Sequence, residues 1–178
     1  CFQESHCMRH PNWLTTVRTY GNPVWMYEAL APAKSFSPYQ YYRLMPWKAF
    51  KLGLTGVGFW TYANHYKISS WDDTGIPKGH YNVVYKEYNS PVNTLGEKLI
   101  PSRRWEAFRE GIEDYQYLFE LKKAIALNMT TNPEKAKKAK LMLKQQVDNV
   151  LQNPGDSDIV YHARKEIQNA LQSFSDAK

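Results

Sequence analysis

The sequence predicts an α/β protein in which two βα units are followed by a helical hairpin, and three observations carry that prediction. Two short runs of β type, residues 23–28 and 56–62, bracket a stretch from Tyr39 to Leu54 with helical character. Beyond Ser102, apolar residues recur at steps of three and four in three successive sets. Finally, 24 of the 26 Phe, Trp and Tyr residues fall between Phe2 and Phe119, so the aromatic part and the last part are built differently.

The first strand is Pro23-Val-Trp-Met-Tyr-Glu28 and the second Gly56-Val-Gly-Phe-Trp-Thr-Tyr62. Between them Pro46 starts or kinks the helix, because its ring blocks one turn and removes a donor. A crossover of this length joins parallel strands and makes a right-handed βαβ unit. An irregular loop from Ala63 to His80 follows, then a short strand at Tyr81 to Tyr85. The three helices are expected near 102–127, 133–151 and 158–174. Their apolar sets are Trp105, Phe108, Ile112, Tyr115 and Phe119; Ala136, Ala139, Leu143, Val147 and Val150; and Val160, Ala163, Ile167, Ala170 and Phe174. Pro101-Ser102, Asn132-Pro133 and the break Asn153-Pro-Gly-Asp-Ser157 supply the caps. This divides the chain into residues 1–128 and a hairpin extension, 129–178.

With 178 residues and 43% hydrophobic content, the chain closes a core unaided. Its mean hydropathy is -0.63, and no apolar run approaches the ~20 residues of a membrane span. The opening CFQESHCMRHPNW has no basic segment leading into an apolar one, so no signal peptide is visible. Cys1 and Cys7 are the only cysteines, which excludes a disulfide framework and a four-cysteine zinc site. The net charge of +6 is spread along the chain, with ten basic against six acidic residues in 1–100 and thirteen against eleven in 101–178. Lys135, Lys137, Lys138, Lys140 and Lys144 form a local run without interleaved aromatics, so it reads as a solvated helix face and nucleic acid is not an expected partner.

Side-chain parity singles out the site. In the second strand Gly56, Gly58, Trp60 and Tyr62 share one face, and Val57, Phe59 and Thr61 the other. If the strands belong to a parallel (β/α) barrel of about 250 residues, the glycine-to-aromatic row faces the lumen, its rings lie at the C-terminal mouth, and earlier strands lie outside this sequence. Trp25 and Tyr27 share a face in the same way. Glu28 is the one carboxylate at a strand end.

The succession of Trp25-x-Tyr27, Tyr42-Arg43-Leu44-x-Pro46-Trp47, Gly56-x-Gly-Phe-Trp-x-Tyr62 and Pro101-Ser-Arg-Arg-Trp-Glu-Ala-Phe-Arg-Glu-Gly-Ile-Glu-Asp-Tyr-Gln-Tyr-Leu118 resembles the C-terminal part of the domain of family 123 glycoside hydrolases and their relatives. The resemblance covers residues 22 to about 121. It implies a TIM-type (β/α)8 barrel whose last two βα units are present here. It implies β-N-acetylgalactosaminidase chemistry, retaining and substrate-assisted, in which the substrate's N-acetyl oxygen is the nucleophile and an adjacent Asp-Glu pair orients it and moves the proton. No Asp-Glu dipeptide occurs in the chain, so the pair is expected on an earlier strand, in the N-terminal remainder of the same barrel. The reversed Glu113-Asp114 is expected to anchor its helix through Arg104 or Arg109.

What the resemblance leaves to this chain is the aromatic part of a pocket for an N-acetylhexosamine-containing glycan. A pyranose ring shows apolar C–H groups beside hydroxyls, so its site needs flat rings to stack on and polar tips to orient it. Trp60 and Trp25 are the expected walls, Tyr27 and Tyr62 the expected donors, and Trp71 the expected rim. For each, a plain core ring is the competing reading. Asp72-Asp73-Thr74-Gly75 reads as a turn, since it lacks the ligand spacing of a calcium loop. His65, His80 and His162 have no metal-ligand spacing, and no cofactor is expected. Asn128-Met129-Thr130 is a formal glycosylation sequon, and the resemblance implies secretion or the cell envelope. A carbohydrate-binding module without catalysis and a helical interaction or anion-binding module are the alternatives.

Overall fold

The computed structural model describes residues 2–28, 37–60, 62–63, 82–86 and 99–175, and the protein is mixed α/β and mostly helical. The elements begin with β1 (Phe2–Gln3), α1 (Glu4–Arg9), α2 (Pro11–Arg18) and β2 (Trp25–Glu28). A π-helical turn, Tyr39–Arg43, runs into α3 (Leu44–Leu52), then come β3 (Gly56–Phe59), β4 (Val84–Lys86) and β5 (Leu99–Pro101). The last three are α4 (Arg103–Asn128), α5 (Pro133–Gln152) and α6 (Ser157–Ser175).

Strands β1, β2 and β3 form one parallel sheet in that order, with Trp25 beside Gly56, Tyr27 beside Gly58 and Glu28 beside Phe59. The crossover from β2 to β3 runs through the π-helical turn and α3, which begins as the wider helix because Pro46 offers no N–H to the carbonyl one turn earlier. It ends on Gly53 at φ 65°, where a side chain would be strained. The Gly53 and Leu54 N–H groups donate back to Phe50 and Ala49 O, closing the helix end. The short strand expected at Tyr81 to Tyr85 lies instead at Val84–Lys86 and pairs antiparallel with Leu99–Pro101.

Ser102 caps α4 by accepting from Arg104 N, and Asn132 caps α5 by accepting from Lys135 N with Pro133 in the first turn. Lys137, Lys138, Lys140 and Lys144 are exposed on α5, while Ala136, Ala139, Leu143, Val147 and Val150 are buried.

Two apolar clusters fill the interior. One lies under the sheet, joining Met26, Val57 and Phe59 to Leu14, Tyr42, Met45, Ala49 and Phe108. The other joins Leu44 and Trp47 of α3 to Leu118, Leu121 and Ile125 of α4 and to the buried rows of α5 and α6. Between them α4 meets the π-helical turn at backbone distance: a Cβ on Gly111 would stand 2.5 Å from Arg43 O. Only glycine fits there. Among the described residues no helix is long and apolar enough to cross a membrane.

Candidate functional site

Register fixes which side chains share the sheet's two faces. Met26, Val57 and Phe59 point into the core, and Phe59 meets Tyr42 and Phe108 edge-on at 5.1 and 4.9 Å. Neighbours in paired strands point the same way, so Trp25, Gly56, Tyr27 and Gly58 stand on the opposite face. The Trp60 N–H donates to Glu28 O at 2.8 Å and continues the ladder one step, which carries Trp60 onto that face as well. Trp60 is 58% exposed, Trp25 51% and Tyr27 39%. Large rings with half their surface in water are the opposite of what a core strand shows.

The four expected pocket residues do not gather at one point. Trp25 lies beside Gly56, four residues below Trp60 along the ladder, a rise of about 13 Å in the strand direction. Its indole covers Gly56, where a Cβ would stand 2.4 Å from the ring. With Pro46, Ala49, Thr55, Ile112 and Tyr115 it lines a cavity of about 210 Å³ at the N-terminal end of β3. Tyr27 and Trp60 lie nearer the C-terminal end. Tyr62 turns toward the start of α4: its ring is edge-on to Trp105 at 5.6 Å, and its carbonyl accepts from Val83 and Val84 N. Glu28 is buried on the opposite parity from Tyr27. Trp71 lies outside the described residues, as do Cys1, His65, the Asp72 to Gly75 turn and His80.

The residues of the long helical motif and of Arg43 to Trp47 meet in a polar seam between the two apolar clusters. Arg43 Nε donates to Asp114 Oδ2 at 2.9 Å, and Trp47 Nε1 donates to the same oxygen at 3.0 Å. Arg43 and Asp114 side chains are both fully buried. Arg43 Nη1 lies 2.9 Å from Glu110 Oε2 without the alignment of a hydrogen bond, so that contact is electrostatic. Arg164 from α6 reaches Asp114 Oδ1 at 3.3 Å and Glu113 Oε2 at 2.9 Å, and Tyr161 places its ring 4.4 Å from the Arg43 guanidinium. Burial disfavours the Arg43 cation, but the hydrogen bond and charge of Asp114 outweigh it and hold the group above its ordinary value. The hydrogen bond from Arg164 holds the Glu113 carboxyl below its usual range against the effect of burial.

The sequence expectation for this pair, an ion pair with Arg104 or Arg109, is met by Arg109, which bonds Glu113. Arg104 donates to Asn82 O at 2.9 Å and to the Tyr85 hydroxyl at 2.6 Å, tying α4 to β4 and to the residues just before it. The decisive partner, Arg43, is missing from that expectation. A signal was present: Asp114 falls in the buried row of α4 with Ala107, Gly111, Leu118, Leu121 and Ile125, and a carboxylate in such a row requires a buried cation.

Among the described residues no group of three or more His, Cys, Asp or Glu is placed to hold a metal ion. No family model, curated protein or solved structure matches the chain. The site therefore stands on its geometry: a sheet face bearing exposed rings over a row of glycines, backed by a helical layer whose charged residues are tied to one another.

Proposed function

We propose that this chain is part of a glycoside hydrolase acting on β-linked N-acetylhexosamine glycans of the N-acetylgalactosamine type. In this reading β2 and β3 are the last two strands of a TIM-type barrel, and the remainder of the same barrel contributes the adjacent Asp-Glu pair. The observation that supports it most is the exposure of Tyr27 and Trp60 on the face opposite the helices, beside Gly58, where a flat ligand can approach the sheet. Trp60 offers an indole plane to the C–H face of a pyranose, and the Tyr27 hydroxyl offers a donor and acceptor to its rim. Tyr62 belongs to the loop side of that surface, and Trp25 supports its lower end.

The division of labour is also supported by what the carboxylates do. Glu28 is turned to the buried side, and Asp114 holds Arg43 and the Trp47 N–H, so neither is available to protonate a leaving oxygen above the rings. This chain stacks and orients the sugar; proton transfer and orientation of the N-acetyl group fall to the Asp-Glu pair, and the substrate's own oxygen attacks the anomeric carbon.

Saturation-transfer NMR of the purified chain with methyl β-N-acetylgalactosaminide, together with an assay on the aryl glycoside, tests the proposal. The expected result is sugar binding without turnover. No binding overturns the sugar-site reading, and hydrolysis by this chain overturns the placement of the acid/base pair. Turnover by the chain extended with the coding sequence that precedes it separates a hydrolase from a carbohydrate-binding module, which uses the same face and hydrolyses nothing.

A further inference from the structure

Away from the sheet face, we propose that His6 and His10 form a two-imidazole chelate for a borderline divalent transition ion, copper(II) ahead of nickel(II) and zinc(II). The two residues are four positions apart, on α1 and at its C-terminal end. Their spacing is held by the backbone from both sides: His10 N–H donates to His6 O at 3.0 Å, and Trp13 N–H donates to His10 O at 3.1 Å. His10 departs from helical geometry at φ -127°, ψ 59°, and Pro11 opens α2 immediately after it. The connection therefore has few alternatives.

The rings are oriented as well as near. Trp13 packs edge-on against Phe2 at 4.3 Å and against His6 at 4.9 Å, which gives the His6 imidazole a fixed neighbour on one side. On another side the His10 ring centre lies 4.9 Å away with the planes tilted by 45°. Two imidazoles on one ion have metal–nitrogen bonds of about 2.0–2.1 Å, and cis or tetrahedral angles then separate their ring centres by about 4.5–5.2 Å. The observed separation falls inside that interval. Both histidines are exposed, so an ion enters without displacing packed side chains. Because no third protein ligand is grouped with them among the described residues, water completes the coordination, and two imidazoles with water favour the ion at the top of the divalent series. Each neutral imidazole coordinates through its unprotonated ring nitrogen and keeps its other N–H.

Calorimetric titration of the chain with copper(II), supported by electron paramagnetic resonance for nitrogen coordination, is the test. One equivalent is expected to bind to the wild type, with nickel(II) and zinc(II) weaker. His6→Ala and His10→Ala are each expected to weaken that equivalent by about 10-fold to 100-fold, since either change removes the chelate. His162→Gln, on α6, is expected to leave it unchanged. Far-UV circular dichroism checks that the variants keep their helices. Equal affinity in wild type, His6→Ala and His10→Ala overturns the site, and so does a two-nitrogen signal that survives in the doubly substituted protein.

Discussion

The helical layer and the sheet use their costly residues in opposite ways. In α4 to α6 and the adjoining π-helical turn, the ionic groups Arg43 and Asp114 are buried and bonded, while most α5 lysines face water. In the sheet, Trp25, Tyr27 and Trp60 hold large apolar rings in water. Burying an ion pair and exposing an indole both run against the general trend of burial. The difference separates where stability is read from where the proposed binding is read: the buried, hydrogen-bonded pair serves the fold, and the exposed rings of the sheet are the ones proposed to meet a ligand. Within the long helical motif, Asp114 belongs to the first kind.

The largest effect that can break this distinction is at Asp114. Asp114→Ala leaves the Arg43 cation buried without its main partner and the Trp47 N–H without its acceptor, and is expected to cost about 3–5 kcal/mol in urea unfolding. A loss under 1 kcal/mol would mean that the seam is not what holds α4 against the π-helical turn and α3.

The next effect is set by alkaline pH. Burial pushes the Tyr42 hydroxyl up to about 12 from an ordinary 10.0, with the nearby Arg104 charge opposing it, and the oxygen has no hydrogen-bond partner among the described residues. Between those values the unfolded chain has released this proton and the folded chain has kept it. Stability from this group is therefore complete below pH 10 and falls as pH rises toward 12, by about 2–3 kcal/mol. Comparing wild type with Tyr42→Phe in urea at pH 9 and at several values above 10 reads it directly. The wild type is expected to lose more than the variant, and parallel losses would remove Tyr42 as the cause.

Much of this architecture is legible in the sequence, for reasons that differ by region. The three long helices show themselves through apolar steps of three and four and through Ser102 and Asn132-Pro133 at their starts, all local signals. In α4, however, the steps give the helix and not its inner face: Ile112 and Phe119 are exposed, and Ala107, Gly111, Asp114, Leu118, Leu121 and Ile125 are the buried row. Glycine at 56 and 58 with Trp60 two positions later gives the shared face of β3, because parity is also local. What lies between distant positions is not legible from spacing. Arg43 and Asp114 are 71 residues apart, and no local pattern pairs them. Parity likewise gives Trp25 its face but not its height on the ladder or the direction of its ring, which the pairing with Gly56 settles. Segments too short for a period, β1, α1 and β5, left no trace to read.

The measurement that tests the central claim most directly is sugar binding by Trp60→Ala beside its unfolding curve. An exposed ring devoted to a ligand can be removed with a change in stability within about 0.5 kcal/mol. Its loss is expected to weaken methyl β-N-acetylgalactosaminide or an N-acetylhexosamine-type inhibitor by about 1–3 kcal/mol, roughly 5-fold to 150-fold, through lost stacking and apolar contact. Unchanged stability with weakened binding is the result this account predicts. Wild-type affinity in a folded Trp60→Ala protein contradicts it.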